Sequence, residues 1–156
     1  MNGRTVTVGA HPRTFSEANL AAGALIGVVA AVVMGVFSVA SGGLLLVPAV
    51  ALLQTGAAEN ASGLMILTGL LVHLGVGAIF GMIFSIIYTY LTPKYSLATG
   101  IPLGIIYGVV VYLLSFAVIG QALQLGLLTI PAIWAVSSHV VFGFVVGFYP
   151  ALAAKE

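Results

Sequence analysis

Two histidines carry whatever chemistry this chain holds. His73 is preceded by Gly69 and followed by Gly77 and Gly81, all at intervals of four; His139 sits in the same way among Ala135, Gly143 and Gly147. Residues four apart share one face of a helix. Each segment therefore presents one imidazole within a strip that has almost no side chains. Imidazoles on two helices are what paired axial ligation of a b-type haem requires, and Gly77 and Gly143 would leave room for a flat macrocycle. The plainer reading has each neutral imidazole donate one hydrogen bond to a neighbouring helix, or to Ser137 or Ser138, and so fix packing.

Other chemistries lack parts. A zinc centre takes at least three protein ligands, and with His11 in the N-terminal tail only two histidines are left, so no metal site is expected. A proton or ion path normally includes an acidic residue within a span, whereas Glu17 and Glu59 flank the apolar runs. A serine–histidine–acid set lacks its acid for the same reason. There is no cysteine, hence no disulfide, thiolate ligand or cysteine nucleophile. The chain reads as a non-enzyme.

The elements that position these residues follow from composition. Of 156 residues, 62% are hydrophobic and 4% charged, with a mean hydropathy of +1.27. Soluble domains carry roughly 25% charged residues, so this surface belongs against lipid or protein. Four scattered basic residues make no nucleic-acid surface. The fold class expected is an all-α integral membrane bundle of four transmembrane helices.

Residues 1–17 form a polar tail, in which Thr14 and Glu17 have capping-box spacing and Ser16 is an alternative cap. Residues 18–156 form one membrane domain. Its first helix covers 19–41; the run from Ala18 to Ala40 exceeds the ~7–15 apolar residues of a signal peptide. An apolar outer linker fills 42–61, where Gly42-Gly43 and Pro48 separate off a stretch, Leu44 to Leu53, too short to span. Helix two covers 63–91, with Tyr88 and Tyr90 placed for an interfacial belt. Helix three covers 97–120 with Pro102 in its first turns, a second linker covers 121–131, and helix four covers 132–154, with Trp134 and Tyr149 near opposite interfaces.

Arg4, Arg13, Lys94 and Lys155 all fall on one side of such a bundle. The positive-inside rule then puts both termini in the cytoplasm, in a prokaryotic inner membrane. An internal repeat is also visible. One constant offset carries Gly23, Gly27 and Ala31 onto Gly100, Gly104 and Gly108; another carries His73, Gly77 and Gly81 onto His139, Gly143 and Gly147. Each repeat is a two-helix hairpin, and hairpins with an even number of spans insert in parallel. The two histidines then lie at matching depth.

Small-residue strips suit close helix contact of the GxxxG kind. Gly23, Gly27, Gly35, Gly69, Gly77, Gly81, Gly100, Gly104, Gly108, Gly143 and Gly147 are the expected packing positions, either within one bundle or, on helices one and three, toward another protein. Phe80, Phe84, Tyr107, Tyr112, Phe142, Phe144 and Phe148 are expected to fill lipid-facing surface rather than line a cofactor. The function expected is a small accessory subunit that stabilises a larger energy-transducing or electron-transfer membrane complex. Its partners would be other membrane subunits and lipids, with self-association an alternative and no cofactor. A haem b carrier ligated by His73 and His139 is the second reading, and a small channel or transporter the third.

Overall fold

The computed structural model describes residues 16–40, 63–120 and 132–153, all helices and their connections, with no strand among them. The apolar stretch 44–53, the polar loop 54–62, the linker 121–131 and the tail carrying Arg4, His11, Arg13 and Thr14 lie outside the described residues, as does Lys155.

Helix α1 runs Glu17–Ala40, starting two residues before the expected boundary. Ser16 is its cap: the Ser16 hydroxyl accepts from the Asn19 amide at 3.3 Å. Glu17 thus occupies the first helical position, where its charge complements the helix dipole, and not the third position of a capping box. Helix α2 covers Gly63–Leu91, as expected, and ends where Pro93 excludes helical geometry from the residue before it. Ser96 caps α3, Leu97–Leu113, its hydroxyl accepting from Ala98 N at 3.2 Å.

Two expected helices depart from regularity. The third is α-helical only to Leu113 and continues as a π-helical segment, Leu114–Gly120. The fourth divides into α4, Ala132–Val146, and a short α5, Tyr149–Leu152, across a turn at Gly147-Phe148. Pro150 explains that break, since it has no N–H for the Val146 carbonyl and its ring would strike that carbonyl in a continuous helix. The chain answers with a tighter bond, Phe148 N to Val145 O at 3.0 Å.

Among the described residues, four helices are long and apolar enough to cross a membrane: Glu17–Ala40, Ile66–Leu91, Leu97–Phe116 and Ala132–Leu152. Helix α1 packs along both α2 and α4, and α3 packs along α4. Helices α2 and α3 are neighbours in sequence, yet large side chains bridge much of the space between them. Tyr107 donates its hydroxyl hydrogen to Phe80 O at 2.8 Å, and its ring lies 5.2 Å from that of Phe84.

The aromatic residues are therefore not mainly lipid-facing filler. Phe84, Tyr107 and Phe142 are core, joined there by Ile26, Ala30 and Val111. Tyr88 and Tyr149, expected near interfaces, are fully buried, whereas Tyr90 and Trp134 are exposed. Large apolar side chains such as Leu25, Val36, Leu71, Ile106 and Ile133 turn outward instead.

Candidate functional site

The small-residue strips are consumed inside the two hairpins. A Cβ placed on Gly27 would collide with Gly77 O and come within 2.8 Å of Gly81 Cα; one on Gly81 would collide with Gly23 O. In the second hairpin, Gly104 meets Gly143 O and Gly147 Cα, and Gly143 meets Gly104 O. The obstructing atoms are backbone, so the helices touch main chain to main chain, as small residues permit.

The pairings repeat. Gly27 against Gly77 in the first hairpin corresponds, under the offsets read from the sequence, to Gly104 against Gly143 in the second; Gly23 against Gly81 corresponds to Gly100 against Gly147. Gly35 and Gly69 are buried on the same helices. Gly75, off the strip, has nothing within 4 Å of its would-be Cβ.

At one end of each seam stands a histidine. His73 and His139 share the level of Ala31 and Gly108, one turn beyond the central glycines. Their bonding differs. His73 donates from Nε2 to Ala31 O on α1 at 2.9 Å, the cross-helix bond of the plain reading. His139 donates from Nδ1 to Ala135 O of its own helix at 2.7 Å, and Ser138 Oγ donates to the same carbonyl at 2.9 Å.

A carbonyl oxygen at these distances requires N–H on the facing nitrogen, which fixes the tautomers. His73 keeps its lone pair on Nδ1, and His139 keeps its own on Nε2. The His139 ring is buried and walled by Tyr112 and Phe116, at centroid distances of 5.7 and 5.9 Å. Phe116 belongs to the π-helical segment, a feature that recurs at functional sites. An Nδ1–H held by a carbonyl with Nε2 free is the arrangement of a metal-ligating histidine. His73 has the opposite arrangement. No group of three or more metal-ligating side chains occurs among the described residues.

A second polar cluster lies at the other end of the bundle, two turns beyond the central glycines. Thr89 Oγ1 donates to Ser85 O at 2.8 Å and is approached by the hydroxyls of Tyr95 at 3.1 Å and Tyr149 at 3.5 Å. Ser85 Oγ donates to Met82 O at 2.7 Å. Tyr88 ties down the α2–α3 connection: its hydroxyl accepts from Ser96 N at 2.9 Å and lies 2.8 Å from Thr99 Oγ1. Asn19 is buried on α1 at this same end.

Sequence reasoning missed this cluster, although the signal was present. Ser85 and Thr89 continue the four-residue series from His73, and Asn19 precedes Gly23 by the same step. Between the two polar levels lie apolar core residues, among them Ile26, Ala30, Phe84, Phe142 and Val146. Comparison with known protein families, characterised proteins and solved structures finds no match to this chain.

Proposed function

We propose that this chain is a small accessory subunit, embedded in a prokaryotic inner membrane with both termini cytoplasmic, that stabilises a larger energy-transducing or electron-transfer complex. One observation carries the reading. The glycine seams close each hairpin on itself, and most of the buried polar groups bond within the chain, so what is left facing outward is large apolar side chains. Such a surface offers shape to lipid and to neighbouring helices, and no reactive group. Interior glycine contact makes the subunit slender and stiff, and its exterior does the docking. Helices α1 and α3 spend their strips inside the hairpins, so contact with a host falls to their branched outer faces, such as Val29, Val36, Ile106 and Val110.

Gentle detergent extraction with mass spectrometry of co-purifying chains tests this. A stoichiometric set of membrane subunits supports it; a chain recovered alone at monomer mass from native membranes refutes it.

One observation favours a haem-bearing alternative: the free Nε2 of buried, aromatic-walled His139. Ligation by His73 through Nε2 would first break its bond to Ala31 O. A reduced-minus-oxidised visible spectrum of the purified chain, and its loss in His139→Ala, would establish this reading over the first.

A further inference from the structure

We propose that His139 Nε2 anchors a binding site for a membrane-soluble hydroquinone, which donates a hydroxyl hydrogen to this nitrogen and packs beside Tyr112 and Phe116. The site belongs to this chain alone and does not depend on a host complex. An unused acceptor is the first observation. Among the described residues, Asn19 Oδ1 is the one buried side-chain polar atom without a hydrogen-bond partner. The bond to Ala135 O uses His139 Nδ1–H, and no described residue donates to Nε2. That nitrogen is therefore not itself buried, although the residue is only 7% exposed. It lies within the span Ala132–Leu152, roughly 10 Å along it at ~1.5 Å per residue, where lipid tails supply no donor.

The second observation is where the two hairpins diverge. The offset that carries Gly27 onto Gly104 sets Tyr112 where the first hairpin has Gly35, and Phe116 where it has Val39. The seam glycines are matched, and aromatic rings are added beside one histidine only. His73 already serves packing through Ala31 O on α1, whereas His139 bonds its own helix and ties nothing to it. The Tyr112 and Phe116 rings lie 4.9 Å apart, and the imidazole stands at 66° and 83° to them. An aryl ring brought to Nε2 arrives beside two others with which it can pair. These features define the ligand. Nε2 offers only a lone pair, so the ligand must donate, which lipid esters and the quinone form cannot do. The depth asks for an apolar body and the neighbouring rings for an aromatic one. A phenolic hydroxyl is a stronger donor than an aliphatic one, and a hydroquinone joins all three properties. A haem would have to clear an edge of a ring that is almost wholly enclosed, whereas a hydroxyl needs only the one open nitrogen. A metal ion would lack further ligands, since no group of three or more metal-ligating side chains occurs among the described residues.

The test uses the full chain, ¹⁵N-labelled at histidine, in lipid nanodiscs. It is titrated without oxygen with a decyl-substituted benzohydroquinone and, separately, with the matching benzoquinone. The expected result is a saturable movement of the His139 Nε2 resonance with the hydroquinone, at concentrations about tenfold or more below any effect of the quinone, because only one of the pair can donate. The His73 resonances should stay in place. Phe116→Val, which copies the first hairpin, should weaken hydroquinone binding several-fold with the His139 tautomer unchanged. Equal responses to the two probes, no movement with either, or undiminished binding in Phe116→Val would each overturn the proposal. So would an Nε2 resonance already at its hydrogen-bonded position before any addition and unmoved by the hydroquinone, which would identify a resident donor such as water. The two probes on the native protein decide the matter should Phe116→Val fail to fold.

Discussion

Replacing Gly27 by alanine adds one methyl group and should cost far more than its size implies. Alanine is the better helix former by roughly 1 kcal/mol, so a glycine with space around it gains from the change. Gly75 is such a position, with nothing within 4 Å of its would-be Cβ. At Gly27 the new methyl meets Gly77 O and Gly81 Cα. No rotamer change relieves a clash with backbone, so α1 and α2 must move apart along the seam. Overpacking of this kind typically costs about 1–3 kcal/mol, and the upper end applies because the obstacle is main chain. Against the propensity gain, the net loss is about 2 kcal/mol, or up to about thirtyfold in the folding equilibrium. Reversible unfolding in mixed micelles measures it, with Gly75→Ala as the internal control expected at neutral or slightly stabilising. Gly104→Ala meets the equivalent atoms, Gly143 O and Gly147 Cα, and should lose a similar amount. If Gly27→Ala behaves like Gly75→Ala, the main-chain seam does not exist. Unequal losses at Gly27 and Gly104 would refute the equivalence of the hairpins.

Further outcomes follow from the polar contacts. Tyr88→Phe removes the hydroxyl that receives Ser96 N; a loss of about 1–3 kcal/mol is expected, read as faster amide exchange across residues 92–99 with the helices intact. His73→Ala deletes one cross-helix hydrogen bond, worth about 0.6 and at most about 1.7 kcal/mol in such settings. His139→Ala also empties a buried ring position beside Tyr112 and Phe116 and should cost about 2–4 kcal/mol; the same unfolding assay ranks the two, and the reverse order would contradict the burial. Pro150→Ala restores an amide that can bond Val146 O, so α4 should run unbroken into α5, visible as a protected amide at position 150.

What can be read from the sequence is size and boundary. Helix α2 ends where Thr92-Pro93 says it should, and the four-residue series of glycines marks the faces that pack. Partner choice cannot be read in the same way. In a chain whose helices are apolar all round, hydrophobic periodicity no longer separates inside from outside, which is why the sequence alone sends Phe84, Tyr107 and Phe142 outward and Tyr88 and Tyr149 to interfaces. The strip residues with polar side chains, Asn19, Ser85 and Thr89, are legible as continuations of the glycine series but are overshadowed by the histidines. Pro150 is a local signal masked because the apolar run continues through it. The π-helical turn after Leu113 has no comparable mark in the sequence; it contains no proline, and Ser115 is its single polar side chain before Gly120.

The two histidines occupy equivalent positions and yet bond differently, and a single methyl group accounts for it. Opposite His73 the seam carries Ala31, whose Cβ would lie 2.5 Å from a Cβ on Gly77 and holds the helices apart at that level. The imidazole can therefore enter the gap and reach Ala31 O. Opposite His139 stands Gly108, and with no Cβ there the helices close until the His139 main-chain carbonyl occupies the space. The ring has no route to α3's backbone, so it turns to its own Ala135 carbonyl and packs against Tyr112 and Phe116. Gly108→Ala should reopen the gap and let His139 bond across the seam through Nε2, as His73 does. Histidine ¹⁵N spectra distinguish the tautomers directly: His139 should change from Nδ1–H to Nε2–H while His73 stays unchanged. An unchanged His139 tautomer in a folded Gly108→Ala protein would show that the aromatic wall, and not the glycine, sets the ring.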